Sequence, residues 1–125
     1  MLKFQQLAGT YSILRRLPAD SIPDWATKGD FTSITRSVDE LSIVCCTANI
    51  PEDVDPGPGW ICFKLQGPFP FSQTGVLLSF IEPLSRNGVP IFAISTYDTD
   101  YVLVPVEFAA AASQRLQSAG HELRR

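Results

Sequence analysis

Two aspartates, Asp98 and Asp100, stand in the stretch STYDTDYVLVP (Ser95–Pro105). Paired carboxylates do acid–base work when their surroundings push their pKa values apart. A turn and a strand start in water do not do this, so both are expected to stay ionised. Asp98 suits the turn, where its carboxylate can bond its own backbone. The turn does not need Asp100, whose charge is free to hold a cation. His121 is the single histidine, and a surface position is expected for it. Cys45 and Cys46 are adjacent in LSIVCCTA and point to opposite faces of any strand, while Cys62 lies in WICFKL. With no CxxC spacing, the three cysteines read as buried free thiols, with no metal and no cofactor. The acids of PEDVDPGPG (Pro51–Gly59) lack the spacing and closing Glu of a calcium loop, and the segment reads as a solvated linker. No nucleophile stands beside a base, so catalysis is not expected.

GPFPFSQTG (Gly67–Gly75) leads from strand-like sequence into a helix start. Free N–H groups around Ser72 to Gly75 suit a carboxylate or another anion. Gly75 lets a ligand or a neighbouring backbone come close. A site uniting this turn with Asp100 would complement a small zwitterion, its carboxylate on the amides and its ammonium on the aspartate.

Such a site needs elements that hold its parts. VPIFAI (Val89–Ile94) and YVLV (Tyr101–Val104) flank Asp98 and Thr99 as the two strands of a hairpin. FTSITRSVDELSIV (Phe31–Val44) repeats this design with a step of 60 residues, which lays Ile34 on Ile94 and Glu40 on Asp100. Leu77, Phe80, Ile81 and Leu84 form a helical stripe, with Ser72 or Thr74 as cap, Asn87-Gly88 as stop and Pro83 bending the last turn. A shorter helix is expected over PADSIPDWATKGD, capped by Asp20. Pro105 opens a helix whose stripe runs Phe108, Ala109, Ala112, Leu116 and Ala119, and HELRR closes as a short strand. Residues 60–125 thus read β-α-β-β-α-β, a ferredoxin-like unit, and residues 1–48 read β-α-β-β. The expected fold is α+β: units in tandem, with antiparallel sheets and helices packed on one face. The expected division is a degenerate N-terminal unit at 1–59 and a C-terminal domain at 60–125.

Bulk properties narrow the function classes. A chain of 125 residues buries roughly two-thirds of its unfolded surface and needs no metal or disulfide staple. The net charge of −3 and the absence of a basic aromatic strand argue against a nucleic-acid partner. No apolar run is long enough for a membrane helix and Met1 opens no signal peptide, so no membrane partner and a cytoplasmic location are expected.

FTSITRSVDELSIVC, GWICFKLQGPFPFSQTG, PLSRNGVPIFAISTYDTDYVLV and the final AGH together resemble the small bacterial tandem ACT-domain proteins and, more distantly, the CASTOR arginine sensors. The resemblance implies ACT units in tandem, no catalysis, and amino-acid binding at an interface between units. In the sensors, ligand contacts come from the loop before the helix and from the hairpin. Carried onto this chain, those positions are Phe71, Ser72 and Gln73 with Thr96, Tyr97 and Asp100. Gln73 stands where the sensors carry an acidic loop residue. The sensors also hold more ACT units per chain, which implies a homodimer here. The expected ligand-binding set is therefore Phe71, Ser72, Gln73, Thr74, Gly75, Thr96, Tyr97 and Asp100, in a regulatory module for a small molecule such as an amino acid. The alternative is a ligand-free ACT-like dimer that serves as a protein-interaction scaffold.

Overall fold

A computed structural model describes residues 1–125. Its strands are β1 (Lys3–Gln6), β2 (Tyr11–Arg16), β3 (Ser33–Arg36), β4 (Leu41–Cys46), β5 (Trp60–Leu65), β6 (Phe92–Ser95), β7 (Asp100–Pro105) and β8 (Glu122–Arg124). The helices are α1 (Val76–Arg86) and α2 (Ala109–Ser118), with 3-10 turns at Asp24–Thr27, Thr47–Asn49 and Val106–Phe108. Two units result: Met1–Ala8 with Ile61–Arg125, and Gly9–Trp60. The expected division at residue 59 assigned the first strand to the wrong unit. Phe4 of β1 pairs with Leu65 of β5 and Leu123 of β8, and is fully buried in the C-terminal unit's core.

From β5 onward the C-terminal unit runs β-α-β-β-α-β, as the sequence predicts. Its strands lie in the order β6-β7-β5-β1-β8. Inserted between β5 and β8, β1 makes the closing strand pair in parallel with β1. The fold is α+β and ferredoxin-like, an antiparallel-rich sheet with both helices on one face. Val76, Phe80 and Leu84 of α1 and Ala112 and Leu116 of α2 pack with Phe4, Phe63, Leu65, Val102 and Val104. Phe4 stands edge-on to Phe63 and Phe80, with ring centroids 5.4 and 5.3 Å away. Burying each such phenylalanine or leucine contributes about 1.5–3 kcal/mol.

Pro83 sits inside α1 and supplies no N–H to the carbonyl of Ser79 four residues earlier. That carbonyl lies 3.0 Å from His121 Nε2, while the Leu2 N–H donates to His121 Nδ1 at 3.1 Å. A carbonyl only accepts and an amide N–H only donates, so the neutral Nε2–H tautomer satisfies both. His121 is therefore not the surface residue expected from sequence. It is 7% exposed and lies against the Phe80 ring.

The N-terminal unit orders its strands β3-β4-β2, all antiparallel. Ala26, Leu41, Ile43 and Cys45 form its core, with Leu14, Trp25, Ile34 and Ile50 packed against them. The helix expected over 18–30 is only the 3-10 turn Asp24–Thr27. Pro18, Pro23 and Gly29 leave too few residues between them to repay helix nucleation. Asp20 instead accepts the Leu17 N–H at 3.1 Å and closes a local turn.

The two hairpins share one turn design, but the sixty-residue alignment is one residue too long. The last pairs are Arg36↔Leu41 and Ser95↔Asp100, so Ser37–Glu40 and Thr96–Thr99 are the turns. The step is therefore 59, taking Ser37 to Thr96 and Asp39 to Asp98. Burial agrees: Ile43, Val44 and Cys45 are buried, as are Val102, Leu103 and Val104. In both turns the first residue's hydroxyl does the local bonding. Ser37 Oγ accepts from the N–H groups of Asp39 and Glu40, and Thr96 Oγ1 accepts from that of Thr99. The role expected of Asp98 belongs to Thr96.

Candidate functional site

Two segments of the C-terminal unit build the site: residues 67–75, between β5 and α1, and the Thr96–Thr99 turn between β6 and β7. They are locked together by the Phe69 N–H donating to the Asp98 carbonyl at 2.9 Å and by Thr99 Oγ1 donating to the Leu65 carbonyl at 2.9 Å. Gly67 permits this fit. A Cβ there would stand 2.7 Å from the Asp98 carbonyl oxygen and 3.0 Å from the Thr99 Cβ. Close approach thus belongs to Gly67, whereas the sequence reading assigned it to Gly75. No atom stands within 4 Å of a Cβ at Gly75, and its φ of +78° is the reason glycine suits it.

Phe71, Gln73, Gly75, Thr96, Tyr97 and Asp100 line one cavity of about 270 Å³. Ser72 and Thr74, expected with them, are exposed and outside its lining. Neither caps α1: Gly75 occupies the cap position, with no side-chain cap bond. The first bond of the helix runs from the Ser79 N–H to the Gly75 carbonyl. The N–H groups of Val76, Leu77 and Leu78 precede it and have no carbonyl to reach within the helix. The electropositive end of α1 and the half-buried carboxylate of Asp100 therefore contribute opposite charges to one cavity.

Phe71 and Tyr97 are 74% and 81% exposed, yet meet edge to face with ring centroids 4.9 Å apart. Folding leaves this aromatic pair at the cavity rather than in the core. Ser95, missed by sequence reasoning, also lines it and donates its hydroxyl to Asp100 Oδ1 at 2.5 Å. That bond holds the carboxylate in place through Oδ1. Counting the hairpin register back from the turn would have found it, since Ser95 is the cross-strand partner of Asp100.

The thiols lie elsewhere. Cys45 and Cys62 are buried, and burial pushes the Cys62 thiol up to about 12. Cys45 is raised too, first by burial and then by its neighbour Cys46. No group of three or more His, Cys, Asp or Glu is placed to hold a metal ion. No helix is long and apolar enough to cross a membrane.

Comparison with known proteins places the fold in a family. A model of the ACT domain matches residues 56–118, half of the chain, and a model of a different N-terminal domain matches residues 9–53. No curated protein matches. Among solved structures, a protein from Agobacterium tumefaciens is 50% identical, over 98% of this chain and 92% of its own, with a TM-score of 0.90. A Vibrio cholerae protein of unknown function is 18% identical, over 90% of this chain and 85% of its own, with a TM-score of 0.74. The aspartate kinase of Clostridium acetobutylicum shares the fold at 13% identity, over 93% of this chain and 33% of its own, with a TM-score of 0.64. The chain belongs to the ACT-domain family.

Proposed function

We propose that this chain is a non-catalytic, cytoplasmic ACT-type regulatory module that binds an amino acid in the cavity between residues 69–77 and the β6–β7 turn. One observation carries the reading: the free amides of the first turn of α1 and the carboxylate of Asp100 serve the same small cavity. An α-amino acid carries the complementary pair of charges. The volume of about 270 Å³ lies just below the usual range for drug-sized ligands, which suits a small metabolite. The aspartate kinase that shares the fold is an allosteric enzyme, which supports regulation as the use of the fold. The 59-residue step between hairpins supports reading the N-terminal unit as a reduced ACT copy, as in tandem ACT proteins and the CASTOR sensors.

The test is a thermal-shift screen of the twenty amino acids followed by calorimetry. A ligand at 100 times its dissociation constant adds roughly 2.7 kcal/mol of stability. Asp100→Ala removes one charged hydrogen bond, about 1.5–3 kcal/mol, and should weaken binding roughly 10- to 150-fold with the fold retained. An amino acid whose affinity ignores Asp100 would move the site elsewhere.

A second reading rests on a different observation. Pro68, Phe69, Pro70, Phe71 and Tyr97 line a neighbouring, mainly apolar cavity of about 360 Å³. This favours a scaffold whose aromatic pair docks a protein. On that reading no amino acid shifts the melting temperature and Asp100→Ala is silent.

A further inference from the structure

We propose a second small-molecule site in the C-terminal unit, a cavity of about 390 Å³ that takes a polyanion bearing two oxyanion groups on a short spacer. It shares only Asp98 and Thr99 with the cavity described above. Its floor follows from strand register. Gln5 pairs with Lys64 across β1 and β5 and with Arg124 across β1 and β8. Directly paired residues project to the same side of a sheet. Their neighbours Phe4 and Leu65 are fully buried in the helix-facing core, and Leu123 packs against it. Lys64, Gln5 and Arg124 therefore form a row on the opposite face.

Both charges of this row have side-chain neighbours, although Arg124 is exposed. Lys64 Nζ lies 5.9 Å from the centre of the Tyr101 ring. Arg124 Nη1 donates to Gln66 Oε1 at 3.0 Å, and its Nε lies 3.9 Å from a Glu122 carboxylate that is outside the cavity. Among side chains, Lys64, Arg124 and Arg125 line the cavity against a single acidic one, Asp98, in a chain whose net charge is −3. A cleft in which one sign of charge predominates concentrates counter-ions of the other. Lys64 and Arg124 are two strand spacings apart, about 9–10 Å between backbones. The two side chains reach the cavity from separate strands, so each cation can take one of two linked anionic groups, and the guanidinium fork can read its group bidentately. A diphosphate and a di- or tricarboxylate share this chemistry.

Calorimetry of the full chain at fixed ionic strength, with inorganic pyrophosphate and with citrate as probes, tests the site. Saturable one-to-one binding of at least one probe is expected. Lys64→Gln and Arg124→Gln should each weaken it roughly tenfold or more. Asp98→Asn, which removes the one acidic side chain of the lining, should tighten it. Lys28→Gln is a control on the other unit, where Lys28 pairs with Asp24. It should change nothing. Binding of pyrophosphate alone assigns phosphate groups, binding of citrate alone assigns carboxylates, and binding of both assigns the shared class. Asp100→Ala must leave probe affinity intact, which separates this site from the amino-acid site. No saturable binding of either probe, or binding that persists in both Lys64→Gln and Arg124→Gln, overturns the proposal.

Discussion

At the scale of single residues, the clearest case is the imidazole of His121, which completes a helix that a proline interrupts. His121→Phe keeps the ring packing on Phe80 but leaves the Ser79 carbonyl and the Leu2 N–H without a partner. An unsatisfied buried group costs about 1–3 kcal/mol, so a loss of that order is expected in urea denaturation. Pro83→Ala returns an N–H that can reach the Ser79 carbonyl. In that background His121→Phe should cost measurably less, and additive losses would refute the link. Cys62 gives a pH dependence. Its pKa rises from 9.0 to about 12 on folding, so the unfolded chain loses this proton first as pH rises. The stability tied to the protonated thiol is complete below pH 9.0 and drains away as pH climbs towards about 12. Stability curves for the parent and Cys62→Ala should therefore converge over that window; parallel curves would count against it. A lone histidine carries no periodic signal, so its role was hidden in the sequence. The legible clue was Pro83, because an orphaned helix carbonyl has to find a donor.

For the elements, the β5–α1 segment and the β6–β7 turn act as one piece, and two glycines that look alike in sequence do different work there. Gly67→Ala places a methyl group 2.7 Å from the Asp98 carbonyl oxygen, so the turn must shift. A cost of about 1–3 kcal/mol is expected. Faster hydrogen exchange at the Phe69 N–H, which bonds to that carbonyl, would mark the undocking. Gly75→Ala meets open space and suffers only from its left-handed φ, about 1–2 kcal/mol. Phe69 exchange should then stay slow; equal acceleration in both variants would show that the two positions were wrongly distinguished. The helix stripe Leu77, Phe80, Ile81, Leu84 and the order β-α-β-β-α-β were legible because periodicity reports which face is buried. The turn register was not. Shifting the repeat by one residue preserves its apolar runs, and only backbone pairing shows that Thr96 aligns with Ser37.

Across the whole molecule, chain order and spatial membership part company. The linker at 51–59 drew the eye to a cut between halves, yet β1 completes the C-terminal unit through Phe4. A four-residue strand such as KFQQ announces a strand but not its partners, because pairing is a long-range property. The same gap affects assembly, where the proposed homodimer makes a definite prediction. In its sheet β6 pairs with β7 alone, and an edge strand is a template for pairing with another chain. Near it the fold leaves Phe71 and Tyr97 largely exposed, and aromatic residues are enriched at interfaces. Light scattering should report twice the 13.8 kDa chain mass at micromolar concentration. Tyr97→Ser with Phe71→Ser should shift the protein towards monomer without loss of helix signal, since neither ring belongs to the buried core. If ligand binding uses a wall from the second chain, this double variant loses affinity at low protein concentration and regains part of it at high concentration. A protein that stays at 13.8 kDa at every concentration while binding its ligand tightly would place the whole site within one chain, and the dimer would be wrong.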